Sequence, residues 1–194
     1  MTLLQHHLLA LGLIGFTTLS LGVFVLLNGF RRKLNRLFAA YMFLVAWWSL
    51  WEISTQFASE RSSALFRFHM EYFGVCFIPT LFYHGIVSLT EIRRRSELVS
   101  SYTISFIFVL LIAILWHPLI FIDVIPIAHL LYWPKAGPLY ISFISFFVVV
   151  VIRTLQTLFQ MSRSVLSPLK RAQLRLLLIS SAFGENCIKM AAKL

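Results

Sequence analysis

Apolar residues occur along this chain in blocks much longer than the stripes that a water-facing helix or strand would show. At about 20 residues per bilayer crossing, five blocks are predicted as membrane helices. They are roughly Leu8–Asn28, Leu37–Phe57, Leu65–Leu89, Val99–Trp116 and Leu139–Phe159. A sixth opens at Leu174 as "LRLLLISSAFG" and is broken off by "ENCIKMAAKL". It is too short to span. The pattern predicts an all-α fold, a polytopic transmembrane helix bundle of five full helices plus a partial sixth. Residues 1–184 read as one membrane-embedded region and 185–194 as an aberrant short tail.

The connections orient these blocks. "NGFRRKLNRLF" places Arg31, Arg32, Lys33 and Arg36 between the first two helices. "EIRRRSE" places Arg93, Arg94 and Arg95 between the third and fourth, and Arg163, Lys170, Arg171 and Arg175 follow the fifth. The alternate loops hold Arg61, Arg67 and Lys135, which makes eleven cations against three. Short loops rich in Lys and Arg stay on the cytoplasmic side, where anionic lipid attracts them. The clusters are therefore read as topology anchors, with the N-terminus outside and odd-numbered helices running inward. Binding of a phosphorylated partner or an anionic lipid head group is the competing use. Three clusters recurring on one predicted face favour anchoring.

Composition supports a lipid environment. Of 194 residues, 59% are hydrophobic and 12% charged, about half the charged share of an ordinary soluble domain. Mean hydropathy is +0.85. A water-soluble body of this size cannot hide so much apolar surface. The formal charge of +10 forms no basic face or arm, so nucleic acid is not an expected partner. Cys76 and Cys187 make no disulfide framework. The opening "MTLLQHH" lacks a basic n-region, and no cleavage site follows, so no cleaved signal peptide is expected.

The longest outer connection, "HPLIFIDVIPIAHLLYWPKAGP", contains Pro118, Pro126, Pro134 and Pro138, which exclude a regular helix. It is too apolar for a solvated loop. The expectation is that it lies in the interface or folds back over the helix ends, with Tyr132 and Trp133 at headgroup depth. Such a cap either plugs the bundle or forms one wall of a site for an apolar small-molecule ligand.

Ionisable residues at membrane depth are the candidates for chemistry. Glu71 lies in the third block, where an ion pair with Arg67 one turn earlier is the plain structural reading. His69, two residues away, belongs on a different face. Glu52 sits near the outer end of the second helix beside Trp47, Trp48 and Trp51, a cluster that suits an aromatic belt or a ligand cage. Gly74 and Pro79 predict a kink in the third helix. Arg153 is expected to snorkel to the inner surface. His6 and His7 are read as solvent-exposed. The ligand-sensing candidates are Glu52, Glu71, His69, Trp48, Trp51, Tyr132 and Trp133. No phosphate-binding loop, Cys-x-x-Cys pair, His-x-x-x-His spacing or Gly-x-Ser-x-Gly elbow occurs. Catalytic residues, a metal and a cofactor are accordingly not expected.

Several stretches carry a resemblance. "RRKLNRLFAAYMFLVAWWSLWE" is a basic turn entering a Trp-rich helix, and "FRFHMEYFGVCFIPTLFYHGIVSL" is an aromatic helix with Gly and Pro. The outer loop closes with "YWPKAGPLY", and "LKRAQLRLLLISSAFG" enters the sixth helix. Together these resemble the N-terminal seven-helix region of bacterial sensor histidine kinases, a region also attached to diguanylate cyclases. The resemblance covers about Leu8 to Gly184 and rests on helix order plus Asn35, Arg36, Phe38, Gly74, Pro79, Gly137, Pro138, Tyr140, Arg171 and Gln173. It implies a signal-input module in a bacterial inner membrane. A cytoplasmic PAS, GAF, kinase or cyclase unit would receive the signal, and a homodimer is an expected assembly. The chain departs from that pattern within the sixth helix and reads as truncated there. The competing function is a small membrane transporter or a membrane-embedded enzyme subunit, for which Glu71, His84 and Arg153 should converge in one cavity.

Overall fold

The computed structural model describes residues 2–114, 119–127 and 130–164. Among these are α1 (Leu3–Leu27), α2 (Lys33–Gln56), α3 (Arg61–Val75), α4 (Ile78–Thr90), α5 (Arg95–Ile114), β1 (Phe121–Ile127), β2 (Leu130–Ala136) and α6 (Tyr140–Ser164). Five spans are long and apolar enough to cross a membrane, with α3 and α4 together forming the third. Each overlaps one of the five predicted blocks. The partial sixth helix, Lys170, Arg171 and the 185–194 tail lie outside the described residues.

Helix α1 shows why lipid is the solvent. It buries Leu11, Gly15 and Gly22 and turns Leu9, Leu13, Phe16, Leu19 and Phe24 outward. The buried glycines let the backbone approach α2, since a Cβ on Gly15 would meet Ser49 Oγ and one on Gly22 would meet the Phe43 ring. Small residues drive such packing in a bilayer, where apolar side chains gain nothing by leaving lipid. Its start is closed by a capping box between Thr2 and Gln5. Its end is closed by Asn28, whose side-chain amide donates to the Phe24 carbonyl at 2.8 Å.

Helix α2 is central and packs against α1, α3 and α4, while α4 also packs on α6. The predicted kink in the third span is a full break at Cys76–Phe77, with Pro79 in the first turn of α4. Proline lacks the N–H that would continue the upstream helix. Ser105 of α5 donates to the Cys76 carbonyl at 2.8 Å, and its oxygen lies 2.9 Å from Thr80 Oγ1. All three residues are buried.

The outer loop adds one feature that the hydropathy pattern does not predict: β1 and β2 form an antiparallel hairpin. Val124 pairs with Pro134 and Ile125 with Trp133. A two-stranded ribbon consists only of edges, so its prolines cost little pairing. The hairpin folds back over the bundle as expected. Phe121 and Val124 are buried, and Phe121 meets the Tyr72 ring edge-on at 4.5 Å. Gln56, at the end of α2, clamps the hairpin backbone. Its Nε2 donates to the Tyr132 carbonyl, and its Oε1 accepts from the Leu131 N–H, both at 3.1 Å.

Candidate functional site

Beneath the hairpin end, three helices bring polar side chains together. Glu52 on α2 and Glu71 on α3 are 6% and 3% exposed. Their carboxyls face each other, and Glu71 also faces the Trp48 side chain. His7 of α1 approaches from the other side, with Nε2 3.7 Å from Glu52 Oε1. Glu52 Oε1 and Glu71 Oε2 are buried without a hydrogen-bond partner among the described residues. Two facing carboxylates repel in a low-dielectric interior, and one imidazole supplies at most one positive charge.

This geometry corrects the expected Arg67–Glu71 ion pair. Arg67 turns toward α2, where its guanidinium donates to the Ser54 carbonyl and lies 3.1 Å from the Ser54 hydroxyl. The helix-face argument for His69 holds. Its Nδ1 lies 2.7 Å from the Leu65 carbonyl and its ring stands edge-on to Phe121, on the hairpin side. Trp51 packs on Trp47, with ring centroids 5.5 Å apart. Tyr132 packs beside Ala64, Phe68 and Val124, while Trp133 remains 42% exposed. The structure thus unites Glu52, Glu71 and Trp48 and leaves His69, Trp51, Tyr132 and Trp133 around them. His7 was missed by sequence reasoning, which placed it in solvent. An antiparallel fold-back about the 28–32 turn brings it roughly level with Glu52, and that signal was present.

The opposite end is basic. Lys33, Arg93, Arg94 and Arg95 line one cavity of about 760 Å³, and Arg31, Arg32 and Arg36 are exposed nearby in sequence. Arg153, on α6, reaches the first turn of α5. It binds Glu97 through Nη2 at 2.8 Å and Nε at 3.3 Å, while Arg94 and the Tyr83 hydroxyl bind the same carboxylate. Glu97 thereby ties α4, α5 and α6. His84 pairs with Tyr102 at 2.9 Å in the basic cavity, and Arg153 lines a separate one. Glu71, His84 and Arg153 therefore share no described cavity, which leaves the transporter or enzyme alternative unsupported.

A lipid-facing helix bundle with a buried polar group under one end and a cationic opposite end defines a polytopic membrane protein. Its residues 10–184 match the family model described as the N-terminal 7TM region of histidine kinase. The chain belongs to that family, whose 7TM region is a non-catalytic input domain. No curated protein and no solved structure matches it.

Proposed function

We propose that this chain is the signal-input module of a histidine kinase-like signalling protein in a bacterial inner membrane. The hairpin end faces outward and the basic end faces the cytoplasm, as the distribution of Lys and Arg favours. The stimulus acts at the group formed by His7, Glu52 and Glu71, under a hairpin wall suited to an apolar ligand. Its effect passes along α3 and α4 to a kinase or cyclase partner, with a second copy of the chain as the expected dimer mate. The observation that carries this reading is the buried Glu52–Glu71 pair. It joins two helices whose inner continuations reach the basic end, so any change in its charge or occupancy alters how they pack. A ligand moves such a bundle only through different affinity for its two states.

The test joins the chain to a cytoplasmic histidine-kinase core and follows autophosphorylation from ATP in inside-out vesicles. Glu71→Gln and Glu52→Gln should each shift basal output severalfold, while Glu60→Gln, at an exposed site, should not. Equal output from all three, or reporter fusions placing the 93–95 turn outside, would defeat the proposal.

A further inference from the structure

We propose that the cavity between α2, α4 and α5 at the basic end binds a phosphate-bearing anion, held by Lys33, Arg93 and Arg95. This does not depend on what the stimulus is. Anchoring requires only that cations lie on one side of the membrane. It does not require residues sixty positions apart to line a single cavity of about 760 Å³. Arg94 is already engaged by Glu97 and by Gln160 at 3.2 Å. Lys33, Arg93 and Arg95 have no carboxylate within ion-pair distance among the described residues. Glu91 is the one acid in the lining, so these three cations outnumber it.

Two further features suit phosphate. Helices α2 and α5 begin at Lys33 and Arg95, which places both positive helix ends at the cavity. The residue before α2, Arg32, makes no side-chain cap, so first-turn N–H groups remain for an anion. The wall also presents the Tyr102 and His84 side chains as hydrogen-bonding groups.

The preferred source is a phospholipid. An apolar cleft of about 300 Å³ between Leu34, Phe38, Leu81 and Gly85 adjoins the cavity. Consecutive residues divide the two spaces: Lys33 and Ser88 line the first, Leu34 and Leu89 the second. In the proposed site the headgroup phosphate takes the first space and an acyl chain lies along the second. A soluble phosphate shares the headgroup chemistry but has no use for the cleft.

The experiment places the full chain in phosphatidylcholine nanodiscs and measures binding of phosphatidylglycerol by native mass spectrometry and inorganic phosphate by thermal shift. Replacing Lys33, Arg93 and Arg95 by Gln should weaken phosphatidylglycerol binding roughly a hundredfold, at about one surface-cation contribution each. The matched control, Arg31, Arg32 and Arg36 to Gln, removes equal charge from residues outside the cavity lining and should change binding about threefold or less. Gly85→Leu puts a bulky side chain into the cleft, and nothing lies within 4 Å of its Cβ. It should weaken the lipid alone. A soluble ligand is identified instead if phosphate binds, competes with lipid and is unaffected by Gly85→Leu. Equal losses in the cavity and control variants, or no binding of either anion by the wild type, overturn the site.

Discussion

Replacing Gly74 by Ala tests the interface that holds the two carboxyls together. The new Cβ would lie 2.5 Å from Trp47 Cδ1 and 3.3 Å from Cγ and Nε1, against an optimum near 3.5–4.0 Å, so the indole must retreat by about 1 Å. Overpacking of this kind costs about 1–3 kcal/mol. The retreat also strains the bond from Trp47 Nε1 to the Met70 carbonyl, 2.8 Å long, worth about 0.5–1.5 kcal/mol. Against this, Ala is about 1 kcal/mol better than Gly within a helix. Trp47 is 40% exposed and can swing toward lipid, so the lower part of the range applies. The expected net loss is about 1–2 kcal/mol. Chemical unfolding in detergent micelles, followed by circular dichroism, measures it. In a Trp47→Ala background the clash and the bond are already gone, and Gly74→Ala should become neutral or stabilising by up to about 1 kcal/mol. An unchanged penalty in both backgrounds would refute the packing argument.

Glu71→Gln keeps the side-chain shape while removing one of two facing charges, so the unfolding midpoint should rise, by about 1 kcal/mol in stability; a fall would show that the charge is needed. Glu97→Gln should loosen α4, α5 and α6 by about 1 kcal/mol or less, because solvent screens this half-exposed hub, and Arg153→Gln should add little on top of it. Cys76 is fully buried, so in a Cys187→Ser variant it should resist maleimide until denaturant is added. Rapid labelling of the folded protein would contradict the packing around the helix break.

The membrane spans were legible because their signal is an average over about 20 residues, which no single contact can overturn. Third-span punctuation was also readable, since Gly74 and Pro79 each carry a backbone consequence. The hairpin was hidden because Pro126 and Pro134 discourage a strand assignment in isolation, and only the docking of Phe121 and Val124 onto α3 favours it. The candidate site was half visible. Glu52 and Glu71 stand out as acids in apolar blocks, but their meeting depends on the rotation of α2 against α3. That rotation is set by contacts such as Trp47 on Gly74. Arg67 suggested Glu71 by its spacing, but it bonds Ser54 on the neighbouring helix, thirteen positions away. The Arg153–Glu97 pair was not legible because the two residues lie 56 positions apart on different helices.

The interruption at Cys76–Phe77 gives the third span the mechanics of a jointed lever. A continuous rod of that length resists bending, so a tilt at one mouth of the bundle drags the whole rod. Here the Ser105 hydroxyl, gripping the Cys76 carbonyl, acts as a fulcrum near mid-length. The two arms then lean on different neighbours, α3 on the hairpin and α4 on α6.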